Sequence, residues 1–304
     1  MSRRIRIGLA LAAVAAVAYV ALLFRSPLKA VGLWAVRRSN ACSLGACLEA
    51  PSQVRAHLRA RDRIFKALRP LRAESSIELW ETPLGPLWSP QRRQSAYWLA
   101  DMLAEAESDV YTYGGIGVRP GDTVLDCGAN VGVFARQALR MGAALVVAIE
   151  PGPDSLECLR RNFAAEIAAR RLIVYPKGVW HREETLRLLV DDNSSIGDSF
   201  VLRRGSTEIA VPFVRLDTLV AELGLARVDF VKMDIEGAEQ EALAGARQTL
   251  ARFKPRLAVC AYHKSDDPLR IPALVGAARK DYRMTRGPCL IDKYRIVPKV
   301  LFFE

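Results

Sequence analysis

From Val118 onward, short apolar runs alternate with stretches of helical period, and this alternation restricts the fold of the 304-residue chain more than any other feature. Thr123–Cys127, Leu145–Glu150, Leu172–Pro176, Val228–Met233 and Leu257–Tyr262 read as buried strands, and Val131–Met141, Asp154–Ala168, Ala238–Leu250 and Pro268–Lys280 as the helices between them. Leu186–Val190 and Glu208–Phe213 read as an inserted hairpin around the polar loop Asp191–Ser199. Asp217 suits the cap of a short helix ending near Gly224, and Arg283–Arg286 and Tyr294–Phe302 read as two closing strands. Strands alternating with helices imply right-handed crossovers, and so an α/β fold with a doubly wound, mostly parallel sheet. Ligands of such sheets bind beyond the carboxyl ends of the strands. The residues found there are Asp126, Glu150, Lys177, Asp234 and His263, so the expected site is acid-rich.

Gly128 and Gly132 follow the first strand and let the backbone approach a ligand and the helix start close to the sheet. The spacing is GxxxG, not the GxGxxG of a dinucleotide turn, and Asp126 stands immediately before it. A carboxylate there repels a pyrophosphate and attracts an ammonium group. S-adenosylmethionine carries an ammonium, a sulfonium and no phosphate, so it fits; Glu150, at the end of the second strand, suits its ribose hydroxyls. Two other readings stay open: an oxidoreductase with a nucleotide cofactor, and a non-catalytic, membrane-tethered binding module with the same fold. A simple helix-capping role for Asp126 is the plainer alternative to cofactor binding.

The segments DTVLDCGANVGVFARQAL, VVAIEPGPDSLECLRRNF, VPFVRLDTLV, VDFVKMDIEGAEQEALAGA and CAYHKSDDP together resemble the FkbM family of S-adenosylmethionine-dependent methyltransferases, over roughly Asp109 to Tyr282. The block KMDIEGAE is the most specific of these. The resemblance implies a Rossmann-like class I sheet of seven strands with an antiparallel final strand, and methyl transfer to a hydroxyl. It matches Asp126, Gly128, Asn130 and Gly132 to the turn at the methionine end of the cofactor, and Glu150 to the ribose acid.

Asp234 falls at the tip of the fourth strand, followed by Glu236, Gly237 and Glu239, and is counted with both cofactor and acceptor. An alcohol that attacks the methyl carbon must lose its proton, which requires a base. His263, on the neighbouring strand end, is the expected base, with Asp234 as its orienter or substitute. A divalent metal held by Asp234, Glu236 or Glu239, and His263 is an option that is not favoured, because acids in a first helical turn are explained by the helix dipole. Lys232 is expected to pair with a carboxylate and takes no catalytic role. Weaker candidates are Lys177–Trp180 as an adenine wall or as plain packing, Tyr111 and Tyr113 as closers of the cleft, and the polar loop as a substrate cover.

The chain is expected to divide into a membrane anchor (1–30), a basic juxtamembrane region and linker (31–108) and the catalytic domain (109–304). Ile7–Phe24 is uncharged for 18 residues, about 27 Å as a helix against a bilayer core of roughly 30 Å. Residues 1–100 hold 16 Lys/Arg against 5 Asp/Glu, and the remainder 28 of each, so the positive charge lies beside the apolar span and suits anionic headgroups. Nucleic acid is not an expected partner. Val54–Arg72 reads as a basic helix, at the membrane surface or packed on the next domain, and Pro83, Pro86 and Pro90 mark an irregular linker. The six cysteines read as thiols in a reducing compartment, with Cys42 and Cys47 able to pair locally only outside it. The expected acceptor is a hydroxyl on a sugar, a lipid-linked glycan or another small metabolite, and the catalytic domain is expected on the cytoplasmic face of the membrane.

Overall fold

The structure is a computed structural model that describes residues 27–35, 41–190, 207–292 and 295–304. The chain divides into two units, Met1–Ala56 with Pro288–Lys299 and His57–Gly287 with Val300–Glu304. Residues 7–24 and the polar loop 191–199 lie outside the described residues. Among the described residues no helix is long and apolar enough to cross a membrane.

The larger unit opens with β1 (Arg69–Glu74), β2 (Ile77–Glu81) and β3 (Leu87–Pro90), an antiparallel sheet with β2 central. This sheet replaces the expected irregular linker. Pro70 and Pro90 sit in its two outer strands, where proline is tolerated, and the register of β1 against β2 shifts between Pro70 and Arg72. The helix Leu44–Ala67 precedes it, ending five residues earlier than the expected basic helix. Ile64, Leu68, Ile77 and Leu87 join the helix Ser95–Glu107 and Val131, Val133 and Cys158 in one buried cluster. The basic segment is thus amphipathic and packed, though Phe65 remains exposed.

The main sheet has seven strands: β4 (Thr123–Cys127), β5 (Leu145–Ile149), β6 (Leu172–Tyr175), β10 (Phe230–Met233), β11 (Arg256–Cys260), β12 (Met284–Arg286) and β15 (Val300–Phe303). Their order is β12-β15-β11-β10-β4-β5-β6. The pairs from β11 to β6 are parallel, and β15 runs antiparallel to both β11 and β12. Every residue of β4 and β10 is buried, as a strand covered on both faces requires. Alternate residues feed two cores. Leu125, Val147, Val231 and Leu257 meet Leu243, Ile271 and Val275 on one face. Val124, Val146, Phe230 and Ala258 meet Phe134, Ala138 and Leu159 on the other. The chain leaves β4 in one direction across the sheet and returns at β10 on the opposite side, so the crevice at the topological switch opens between these two strands.

The inserted hairpin is present as β8 (Glu184–Val190) and β9 (Thr207–Val214), with β7 (Gly178–Val179) alongside. Three expected elements are divided. The helix expected over 154–168 breaks at Phe163, whose buried ring packs where Gly132 has no side chain. The helix expected over 238–250 becomes Glu239–Ala244 and Arg247–Phe253, with Gly245 between. The last expected strand becomes β14 (Arg295–Pro298) and β15, which join different sheets.

In the smaller unit, β13 (Cys289–Asp292) and β14 form an antiparallel hairpin. Cys42 and Cys289 form a disulfide, and both join a core with Ala30, Cys47, Ala50 and Ile296. This corrects the reading of six thiols and the local Cys42–Cys47 alternative. The partners are 247 residues apart, and no spacing in the sequence marks them. Cys127, Cys158 and Cys260 are buried thiols, as expected.

A Cβ on Gly245 would lie 2.1 Å from the Trp180 carbonyl oxygen, whereas one on Gly276, inside the helix Asp267–Ala278, would meet nothing within 4 Å. Gly245→Ala is therefore expected to lower stability by about 1–3 kcal/mol and Gly276→Ala to raise it by roughly 0.5–1 kcal/mol. Urea denaturation of both variants checks this; equal effects would contradict the packing described.

Candidate active site

The turn after β4 is built by residues that tolerate positive φ. Gly128 (φ 78°), Asn130 (φ 48°) and Gly132 (φ 89°) all adopt it. At Gly128 the reason is also steric, since a Cβ would stand 1.9 Å from the Asp234 carbonyl oxygen. Gly132 caps the helix Val133–Arg140. The Asn130 backbone N–H donates to Glu150 Oε2 at 2.9 Å, and the Gly152 N–H donates to Oε1 at 2.8 Å. Glu150 thus clasps the turn from the end of β5. Burial pushes its pKa up to about 7, against the two backbone hydrogen bonds and the charge of Lys232.

Asp126 is fully buried beneath the turn. Its register partner on β10 is Lys232. Lys232 Nζ lies 3.2 Å from Asp126 Oδ1 and donates to the carbonyl oxygens of Gly128 at 2.7 Å and Cys127 at 3.3 Å. The rings of Tyr111 and Phe134 flank the ammonium at 5.4 and 6.0 Å. Burial opposes its charge, but Asp126 and Asp234 outweigh burial and hold its pKa above the usual value. Asp126 therefore acts on the turn through Lys232, the pairing foreseen for that lysine.

A second group lies at the tips of β10 and β11. Tyr111 OH donates to Asp234 Oδ2 at 2.8 Å. Burial, with the charge of Asp234, keeps that phenol protonated well above its ordinary value. His263 Nδ1 lies 2.9 Å from Glu239 Oε1, which also accepts from the Ile235 N–H at 2.9 Å. His263 Nε2 stands 3.6 Å from Asp234 Oδ1 and 3.6 Å from Glu236 Oε1, hydrogen-bonded to neither. Glu236 takes a left-handed conformation (φ 52°) followed by Gly237 (φ 95°), which folds its side chain back toward the histidine. Burial would lower the His263 pKa, but the charge and hydrogen bond of Glu239, the polar interaction with Glu236 and the charge of Asp234 carry it well above its ordinary value. Burial raises Glu236 against the pull of His263. Burial also opposes the charge of Asp234, yet Lys232, His263 and Tyr111 keep its pKa below the usual range.

The expected site residues thus fall into two sets on one sheet edge: Asp126, Gly128, Asn130, Gly132 and Glu150 around the turn, and Asp234, Glu236, Glu239 and His263 at the neighbouring tips. The contact between the Gly128 Cα and the Asp234 carbonyl joins them. Glu239, placed by the sequence in the first helical turn, points inward and is fully buried. Tyr111 holds Asp234 from 123 residues away, a role that only the topology reveals. Tyr113 instead packs its exposed ring on Phe302. Lys177 reaches Glu222, and Trp180 packs against Leu188, Val211 and Phe213, the plainer of its two readings.

Residues 126–284, just over half of the chain, match the family model described as methyltransferase FkbM domain. The chain is 32% identical over 164 residues to the 31-O-demethyl-FK506 methyltransferase FkbM of Streptomyces tacrolimicus, an alignment covering 44% of this chain and 63% of that protein. It is 28% identical over 154 residues to the 2-O-methyltransferase NoeI of Sinorhizobium fredii, covering 45% and 62%. The chain thus spans somewhat less than two thirds of either relative. A solved structure, the methyltransferase FkbM of Methylobacillus flagellatus KT, aligns with a TM-score of 0.49 at 20% identity over 84% of this chain and 60% of that one.

Glu150 sets a pH test. Its pKa rises from 4.5 in the unfolded chain to about 7 in the fold, so between these values the folded state binds the extra proton. Its contribution to stability is complete below pH 4.5 and is lost as pH rises through about 7. Urea unfolding at pH 5 and pH 8 is expected to show the wild type losing on the order of 3 kcal/mol relative to Glu150→Gln. A difference that stays constant with pH would contradict the buried, clasped carboxylate.

Proposed function

We propose that this chain, which belongs to the FkbM methyltransferase family, transfers a methyl group from S-adenosylmethionine to a hydroxyl oxygen. The observation that carries the reading is the juxtaposition, on adjacent strand ends at the sheet's switch point, of a glycine turn clasped by Glu150 and a surplus of carboxylates around His263. The turn offers no phosphate cradle of the GxGxxG kind, and the carboxylates favour a sulfonium. Glu150 is assigned to the ribose hydroxyls, and Gly128, Asn130 and Gly132 to the methionine end. Asp126 supports that end from below, and Asp234 borders both cofactor and acceptor. Asp234 Oδ1 and His263 Nε2, neither hydrogen-bonded, are the atoms assigned to face the acceptor hydroxyl and promote the loss of its proton.

Transfer to oxygen is supported by the names of two relatives, a 31-O-demethyl-FK506 methyltransferase and a 2-O-methyltransferase. The acceptor class is a sugar, a lipid-linked glycan or another small hydroxylated metabolite. Tethering through residues 7–24 and the basic segment behind them favours an acceptor at the membrane. The cofactor argues for the cytoplasmic face. The Cys42–Cys289 disulfide is the opposing observation, because such bonds persist in oxidising surroundings. Alkylating acid-quenched cells without reductant is expected to leave Cys42 and Cys289 unlabelled; labelling of both would contradict the disulfide and remove the objection to the cytoplasmic face.

Incubating the full-length chain with methyl-labelled donor and membrane extract is expected to give a labelled ether. His263→Ala is expected to slow transfer by about 10²–10⁴-fold, with S-adenosylhomocysteine binding by calorimetry changed only slightly. Binding of NAD with no uptake of S-adenosylhomocysteine would overturn the reading in favour of an oxidoreductase.

A further inference from the structure

We propose that Asp234, Glu236 and His263 bind one divalent cation, of the magnesium or manganese type, at the carboxyl edge of the sheet. One ligand atom from each of the three lies within 4.8 Å of the others. His263 Nε2 is 3.6 Å from Asp234 Oδ1 and 3.6 Å from Glu236 Oε1. Ligands sit about 2.1 Å from a magnesium-sized ion, so two of them stand roughly 3 Å apart when cis and 4.2 Å apart when trans. Both nitrogen–oxygen distances fall within that range, and two carboxylates with an imidazole form a donor set such ions accept.

The arrangement behind these atoms points the same way. A metal-bound imidazole commonly gives its far N–H to a carboxylate, which fixes the tautomer and aims the other nitrogen's lone pair at the ion. His263 Nδ1 stands 2.9 Å from Glu239 Oε1, and Glu239 is itself fixed by the Ile235 N–H. Asp234 is anchored in the same manner, with Tyr111 on Oδ2 and Oδ1 left over. The His263 side chain is only 4% exposed, and its Nε2 has no hydrogen-bond partner. A lone proton on Nε2 would draw one of the two oxygens to hydrogen-bond distance, as Glu239 is drawn to Nδ1. Nε2 instead stands equally far from both oxygens, and an ion placed between the three would be ligated by all of them.

The cation's role, though not its presence, rests on the methyl-transfer reading. With three protein ligands, positions remain open for an acceptor hydroxyl, whose acidity the cation raises. The hydroxyl's proton leaves to water. Its oxygen forms the new bond to the methyl carbon as the carbon–sulfur bond breaks, and that electron pair stays on sulfur, discharging the sulfonium. His263 then promotes that loss of the proton as a ligand of the ion.

The test is titration of the metal-stripped, full-length chain with manganese chloride, followed by the paramagnetic resonance of free Mn²⁺ and by calorimetry, with S-adenosylhomocysteine titrated into the same preparation. One Mn²⁺ per chain is expected. Glu239→Gln should weaken it by about 10- to 100-fold, and Glu236→Gln by at least as much. Both substitutions conserve shape, and circular dichroism confirms that each variant is folded. Failure of the folded wild type to take up Mn²⁺, or uptake unchanged in both variants, overturns the site. Binding of S-adenosylhomocysteine without Mn²⁺ uptake removes the cation and leaves the methyl-transfer reading intact. Mn²⁺ uptake sensitive to Glu236→Gln, without cofactor binding, keeps the site and removes its assigned role.

Discussion

The edge of the sheet depends on the ion pair between Asp126 and Lys232. A fully buried carboxylate lies beside an ammonium group on the next strand, and that ammonium also holds the carbonyl oxygens of Cys127 and Gly128. Removing either member would leave an uncompensated buried charge, worth about 3–5 kcal/mol. The pair therefore fixes the start of the turn, and the bare Gly128 Cα lets the Asp234 carbonyl approach it. A single close contact thus registers the turn after β4 against the tips of β10 and β11.

Above this neutral pair the charges do not balance. Asp234, Glu236 and Glu239 surround one imidazole, so the tips of β10 and β11 favour positive charge. In a methyl transfer that preference has direction. The cofactor arrives as a sulfonium and leaves as an uncharged thioether, so attraction to the carboxylates weakens once the reaction is complete. A divalent ion among the same groups would moderate the surplus and bring the acceptor oxygen into the field that raises its acidity.

Much of this was legible in the sequence because its signals are local. The runs ending at Asp126, Glu150 and Asp234 are short, apolar and bounded by turns, so the strands and the residues at their tips followed directly. The partnerships were harder to read. Nothing local ties Tyr111 to Asp234 or Cys42 to Cys289, and the inward turn of Glu239 depends on where His263 ends up after β11. Asp126 drew attention for its position before the glycines, but that Lys232 stands beside it follows only from strand register. The prolines between Pro83 and Pro90 misled because they usually mark loops; here Pro90 ends an outer strand and the others lie in the connection before it.

The most direct test of the account is a crystal structure of the chain with S-adenosylhomocysteine. The sulfur is predicted to lie at the carboxyl edge between the Gly128 turn and the tips carrying Asp234 and His263, with the ribose hydroxyls within about 3 Å of Glu150. A ligand seated elsewhere, or a ribose turned away from Glu150, would contradict the assignment of this edge as the site of methyl transfer.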